Sequence, residues 1–256
     1  GEEGKYYVYS YQELKKIENI DKYYDVKLEG NWENKIILIE KEKPNEETLK
    51  KLLEIRSKRN KPFFDDKTQL DLNSLWISSL VAANEILPDK GYLKLAEEFF
   101  LKIEKKYINK NMYHSYSKNI VFIEDYAFLI NALNDLWDKT MKFTYKDKAI
   151  KLTQEAIKKF YLNDKNIFQK SSKNSNDVFF KPIDISDNTV PNGNAIMLIN
   201  FTKLGMIEEA QKLSESLNGY LNVYKSQMIT SLRAIDYFRN IKEGKNCNEK
   251  GCNLDA

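Results

Sequence analysis

Residues 72–87 read LNSLWISSLVAANEIL, and residues 92–107 read YLKLAEEFFLKIEKKY. The two stretches differ in kind. The first carries Leu75, Trp76, Ile77, Leu80, Val81, Ala82 and Ala83 with only Ser between them. It is apolar nearly all round, as a helix buried on most sides must be. The second sets Leu93, Ala96, Phe99, Phe100, Ile103 and Tyr107 in a single stripe among Lys and Glu. That is a helix with a solvated back.

The contrast recurs along the chain. Residues 124–137, 194–204 and 226–238 are dense in apolar side chains, while 145–161 and 206–217 are amphipathic. Two concentric layers of helices need this alternation of inner and outer members. The expected fold is therefore all-α, an (α/α)6-toroid-like arrangement. Six hairpins would need more helices than are legible here, so an incomplete ring is expected. A tetratricopeptide-like solenoid would repeat about every 34 residues. Here the dense helices begin near 72, 124, 194 and 226, an irregular spacing. Long connections at 109–123 and 163–190 carry hairpin-like runs at 112–116 and 167–170, and long structured loops often hold function.

The start of the chain is mixed. Residues 6–9 and 35–39 are strand-like, 11–17 reads as a short helix after the N-cap candidate Ser10, and Pro44 breaks the pattern. The expected organisation is a mixed lead-in segment at 1–45 packed on the toroid, helical hairpins at 46–240, and a tail at 241–256 that carries a cysteine pair.

Composition excludes several classes. Lys and Arg number 41 against 38 Asp and Glu, for a net charge of +3. Such a balance gives no strong field for nucleic acid or anionic lipid, and no basic stripe carries interleaved aromatics. No stretch approaches the about 18 apolar residues of a membrane span. No signal peptide is visible, and the chain opens on Gly1 without a methionine, which reads as a fragment; a cytoplasmic protein is expected. No nucleotide-binding glycine motif occurs, so no cofactor is expected. One histidine, His114, cannot build a two-histidine metal site, and Cys247 and Cys252 do not make a zinc site, so no metal is expected. The two thiols are spaced C-x4-C, outside the C-x-x-C redox pattern. They fit a small disulfide loop or, in a reducing compartment, two unpaired thiols.

Two acidic pairs precede dense helices: Asp65-Asp66 and Glu124-Asp125. Adjacent carboxylates raise one another's pKa, and one can become a general acid. The same positions suit helix caps and dipole partners. Both readings stand at this point. Asp187, Asn192 and Asn194 flank a turn set by Pro191 and Gly193, where amides could bind hydroxyls or cap a helix. Trp76, Tyr126 and Trp137 could stack on a sugar ring or sit in the core.

Three of these segments also carry a family likeness. Arg59-Asn60-Lys61-Pro62-Phe63-Phe64-Asp65-Asp66-Lys67 with Asn73, Ile123-Glu124-Asp125-Tyr126-Ala127-Phe128-Leu129, and Asp187-Asn188-Thr189-Val190-Pro191-Asn192-Gly193-Asn194 follow one another in order. Together with Gly1-Glu2-Glu3-Gly4 and the cysteine pair, they resemble the helical part of the spermatogenesis-associated, thioredoxin-domain-containing protein family. The resemblance implies an α/α-toroid related in fold to N-acylglucosamine 2-epimerases and six-hairpin glycosidases. It also implies a thioredoxin-like domain as partner in a longer protein. Leu72, Ser74, Asn188 and Asn192 depart from the family's residues. The related epimerases use a histidine pair, which a single histidine does not supply.

The expectation for function is a carbohydrate-active or carbohydrate-binding toroid with a sugar ligand and an acidic pocket where inner helices begin. Asp65, Asp66, Glu124 and Asp125 are the candidate catalytic acids. Asn73, Tyr126, Asp187, Asn192 and Asn194 are the candidate binding residues. The alternative is a non-catalytic scaffold for a thioredoxin-like domain.

Overall fold

The computed structural model describes residues 4–108, 111–115, 120–173 and 181–244, and the backbone of 247–248 and 251–252. The chain divides into two units, Gly1–Asp66 and Lys67–Ala256.

The first unit holds three helices, α1 (Tyr11–Leu14), α2 (Ile20–Tyr23) and α3 (Glu46–Ser57). Ser10 and Glu13 form a reciprocal capping box on α1. The strand-like runs 6–9 and 35–39 meet only at the isolated bridge Tyr9–Ile36. A small core gathers Tyr9, Leu14, Ile17, Ile20, Tyr24, Ile36 and Leu52. Arg59 organises its polar side. The guanidinium donates to the backbone oxygen of Tyr6, pairs with Glu13 at 3.0 Å and lies 4.6 Å over the Tyr9 ring. Leu52 draws α3 into this core. The unit boundary therefore falls after Asp66, where the sequence reading set it at residue 45.

The second unit alternates inner and outer helices. In chain order these are α4 (Leu70–Ile86), α5 (Tyr92–Tyr107), α6 (Ile123–Thr140), α7 (Phe143–Phe160), α8 (Gly193–Lys203), α9 (Ile207–Tyr224) and α10 (Ile229–Lys242). The even-numbered helices α4, α6, α8 and α10 pack on one another in sequence, while α5, α7 and α9 back them. Burial is heaviest in the inner helices α6 and α8. Eleven of the eighteen residues of α6 and ten of the eleven of α8 are buried, against four of sixteen in α5. Short pairs β1 (Tyr161–Leu162) with β2 (Ile167–Phe168), and β3 (Cys247–Asn248) with β4 (Gly251–Cys252), are the strands among the described residues. The second pair sets Cys247 opposite Cys252 in register; their side chains lie outside the described residues.

One expectation fails in α4. Leu72, Trp76 and Ile86 are exposed, so this helix is not buried on most sides. Its apolar residues exceed what α5 and α6 cover.

Loop carbonyls take up backbone N–H groups at the starts of α4 and α6. The backbone N–H of Leu70 donates to the His114 carbonyl, and that of Ile123 to the Lys170 carbonyl. These bonds satisfy groups that a helix N-terminus leaves open. They also hold the two long connections against the beginnings of α4 and α6.

Candidate functional site

A cavity of about 300 Å³ opens where α4, α6 and α8 begin. Its walls include Asp71 from the first turn of α4, Glu124 from that of α6, and Asn192, the N-cap of α8. The loops add His114, Lys170 and Asp184. All of these residues belong to the second unit.

Helical geometry separates the Glu124-Asp125 pair. Consecutive residues on a helix point about 100° apart. Asp125 turns inward and is fully buried. One of its oxygens accepts from the backbone N–H of Phe122 at 2.8 Å, and the other takes the His114 Nδ1 at 2.9 Å. Glu124 turns to the cavity. Burial pushes its carboxyl up to about 7, against the pull of its own backbone N–H and Lys170, and with the charges of Asp184 and Asp125 adding to the rise. Lys170 stands 4.0 Å from one Glu124 oxygen and 3.2 Å from Asp184. The other Glu124 oxygen, Oε2, is buried and has no hydrogen-bond partner among the described residues.

His114 lies between two carboxylates. Its Nδ1 is also 4.0 Å from Asp71 Oδ1, and its Nε2 is 2.9 Å from the Gln69 side-chain amide. The hydrogen bond to Asp125 raises its pKa, burial opposes the rise, and the charges of Asp125, Asp71 and Glu124 favour it. Burial, followed by the charge of Asp125, holds Asp71 above its ordinary value. The Asp71 Oδ1 accepts from the Leu72 backbone at 2.7 Å.

The third motif builds the far wall. Asn192 caps α8 by accepting from the N–H groups of Asn194 and Ala195, and donates to the Asp184 carbonyl. Asn194 is fully engaged within the fold, exchanging two hydrogen bonds with the Phe168 backbone and donating to the Asp184 carbonyl. Asp187 accepts from the backbone of Asn192 and of Thr230 and so ties the turn to the start of α10. Gly193 allows the close approach of α8 to α6. A Cβ there would meet Ile123 Cγ2 at 3.3 Å and Glu124 Cγ at 3.4 Å.

Of the residues expected from sequence, Glu124 and Asn192 meet at this cavity. Asp125 stands behind its wall, holding His114. Asp187 and Asn194 act as internal ties. Tyr126 is buried and reaches the outer layer, donating to Glu155 and accepting from Lys159. Asn73 donates to the carbonyl of Gln69, the N-cap of α4. Asp65 and Asp66 lie in the first unit, in exposed chain without regular structure, and α4 starts later, at Leu70. The acid in its first turn is Asp71. Asp71, His114, Lys170 and Asp184 are site residues that sequence reasoning passed over. The signal for Asp71 was present, since an acid follows the first apolar residue of α4 as Glu124 follows Ile123 in α6. Asp71, His114 and Asp125 each place one ligand atom within 4.8 Å of the others.

No family model matches the chain. An uncharacterised protein of Caenorhabditis elegans is 28% identical over 198 residues, which cover 72% of this chain and 27% of that protein. The chain thus spans about a quarter of the length of the curated relative it matches. Among solved structures, it is similar to an inactive variant of a Salegentibacter α-1,6-mannanase in complex with α-1,6-mannotriose. The TM-score is 0.50 at 11% identity, over 67% of this chain and 53% of the mannanase. The fold is an α/α-toroid. Further structures align with lower scores. A sugar epimerase from a ruminal bacterium gives a TM-score of 0.49 at 15% identity, over 80% of this chain and 71% of its own. The cellobiose 2-epimerase of Bacillus thermoamylovorans gives 0.47 at 14% identity, over 63% and 45%. No helix among the described residues is long and apolar enough to cross a membrane.

Proposed function

We propose that this toroid binds a saccharide in the cavity where its inner helices begin, and that Glu124 is the carboxyl that acts on it. The unpartnered Glu124 oxygen carries the reading. A buried polar atom without a partner costs about 1–3 kcal/mol, and a ligand hydroxyl removes that cost. Sugar hydroxyls both donate and accept, and the remaining lining matches them. Lys170 donates, and Asp184 and Asp71 accept. A neutral Glu124 can donate to a glycosidic or ring oxygen as a general acid, with Asp71 or Asp184 as the second carboxylate of a hydrolytic pair. An inactive variant of the α-1,6-mannanase of similar fold holds α-1,6-mannotriose, which supports carbohydrate as the ligand class. Asp125 serves by fixing His114 rather than by touching the sugar.

The family assignment to the spermatogenesis-associated, thioredoxin-domain-containing group rests on the three sequence motifs. A thioredoxin-like partner follows from that assignment. The scaffold alternative gives the unpartnered Glu124 oxygen no role.

The test is calorimetric titration of the full chain with mannose, glucose, N-acetylglucosamine and α-1,6-mannobiose, alongside release assays on aryl glycosides. Glu124→Gln is expected to weaken binding of the best ligand by about tenfold or more and to remove any turnover. Asp66→Asn decides the place of the site. A loss with Asp66→Asn and none with Glu124→Gln would move the site away from this cavity, and the absence of saccharide binding at about 10 mM would end the reading.

A further inference from the structure

We infer that Asp71, His114 and Asp125 form a binding site for one divalent transition-metal ion, zinc in the first place. The three residues come from separate pieces of chain: the first turn of α4, the connection after α5, and the first turn of α6. The fold nevertheless brings a ligand atom of each within 4.8 Å of the others. His114 Nδ1 lies 2.9 Å from Asp125 Oδ1 and 4.0 Å from Asp71 Oδ1. Ligands bound at about 2.0–2.2 Å from one ion stand about 3–4 Å apart, so small side-chain adjustments suffice.

The imidazole is held in the orientation a metal ligand needs. The His114 backbone is tied on both sides, its N–H to the Ile120 carbonyl and its carbonyl to the Leu70 N–H. Its far nitrogen, Nε2, meets the Gln69 carboxamide at 2.9 Å. With Nδ1 on a metal, Nε2–H donates to the oxygen of that carboxamide, an exchange of amide orientation at the same heavy-atom positions. Metal-bound histidines commonly carry such an outer partner. Asp125 is fixed likewise by the Phe122 N–H on its other oxygen.

Charge supplies the second argument. The Asp125 side chain is fully buried and that of Asp71 is 15% exposed. Buried carboxylates are paired or coordinate metals. Lys170 is the cavity's lysine, and it is engaged by Asp184 at 3.2 Å. Asp71 and Asp125 are left to share one imidazole between two carboxylates. A divalent ion balances this set fully, whereas a protonated histidine balances half of it.

Donor chemistry sets the class of ion. One imidazole and two carboxylates suit zinc and its first-row neighbours, while calcium asks for six to eight oxygens. Asp71 and His114 both line the cavity, so an ion would keep an open position towards it for water or a ligand oxygen. The site stands whether or not a saccharide enters the cavity.

The experiment uses the full chain stripped of metal and carrying Cys247→Ser and Cys252→Ser, so that thiols take no zinc. Titration with zinc, manganese and calcium chlorides, each alone, is followed by calorimetry. One equivalent of zinc is expected at micromolar dissociation constant or tighter, with at least tenfold weaker binding in Asp71→Asn and in His114→Gln. If His114→Gln fails to fold by circular dichroism, Asp71→Asn decides, because the Asp71 side chain is partly exposed where that of Asp125 is fully buried. No zinc binding below about 1 mM overturns the inference, as does unchanged binding in Asp71→Asn or tighter binding of calcium than of zinc. Nitrogen-15 NMR adds an independent reading. Zinc should remove the Nδ1 proton of His114, and a retained proton at saturating zinc overturns the assignment.

Discussion

Asn194 is hydrogen-bonded to the backbone of Phe168 from both sides, accepting from its N–H at 2.8 Å and donating to its carbonyl at 3.0 Å. The carboxamide thus pairs with β2 as a neighbouring strand would, and its second amide hydrogen reaches the Asp184 carbonyl at 3.0 Å. A residue 1% exposed holds β2 and the loop at Asp184 against the start of α8. Asn194→Asp would set a carboxylate oxygen against two carbonyls. We expect it to destabilise the fold by more than Asn194→Ala, which itself costs about 2–4 kcal/mol because it leaves buried backbone groups unpaired. Urea unfolding of both variants checks the order, and an aspartate variant as stable as wild type would contradict this account of the bond pattern.

Gly193 sets how closely α8 approaches α6. A methyl group there meets the Ile123 side chain at 3.3 Å and the Glu124 side chain at 3.4 Å and 3.5 Å. Ile123 must yield by a few tenths of an ångström, while the distances to Glu124 are those of ordinary van der Waals contact. Gly193→Ala is expected to leave the protein folded, with a loss of about 1 kcal/mol from overpacking, while the displaced Ile123 moves its chain neighbour Glu124 in the cavity. The readout is a larger proportional loss in ligand affinity than in stability. Equal affinity in the variant would show that Glu124 does not depend on this contact.

Between the outer helices α5 and α7, Glu97 accepts from Tyr145 at 2.8 Å and pairs with Lys142. Burial alone would raise its pKa, but the hydrogen bonds from Lys142 and Tyr145 more than offset this and hold it below its ordinary value. A carboxyl whose folded pKa is depressed stabilises the fold above its unfolded pKa, and that contribution is lost as pH falls through the folded value. Glu97→Gln should therefore be less stable than wild type at about pH 7, with the gap closing towards about pH 3. Denaturant midpoints at both pH values test this, and a gap that does not change with pH would remove the electrostatic part of the explanation.

The sequence carried the layering of the toroid because burial and apolar density are nearly the same quantity in α6 and α8. It misled for α4, where Trp76 and Ile86 are apolar but exposed, since apolar character does not reveal whether a neighbouring helix covers a face. At the site, adjacency in sequence is not adjacency in space. Glu124 and Asp125 share a helical turn and so face different ways, one to the cavity and one to His114. Asp65-Asp66 looked equivalent to them, but the first turn of α4 begins four residues after Asp66 and offers Asp71 instead. His114 is the sequence's single histidine and falls in the hairpin-like run 112–116. What brings it between two carboxylates is backbone pairing of that loop with the start of α4, a tertiary bond with no local signature.

Asp187 separates a binding role from a structural one. Its two oxygens accept from the backbone N–H of Asn192 at 2.9 Å and of Thr230 at 2.8 Å. The carboxylate thereby joins the N-cap of α8 to the first turn of α10. Hydrogen bonds to a charged group contribute about 1.5–3 kcal/mol each. Asp187→Asn keeps one acceptor oxygen and turns an NH2 group towards the other N–H, so one bond is lost and one repulsive contact is gained. We expect a lower melting temperature and faster hydrogen exchange at the starts of α8 and α10. Affinity for a cavity ligand should change little in Asp187→Asn at temperatures where the variant is folded, because both oxygens face backbone. If affinity falls about tenfold while the melting temperature stays that of wild type, Asp187 touches the ligand after all, and the turn before α8 belongs to the binding surface.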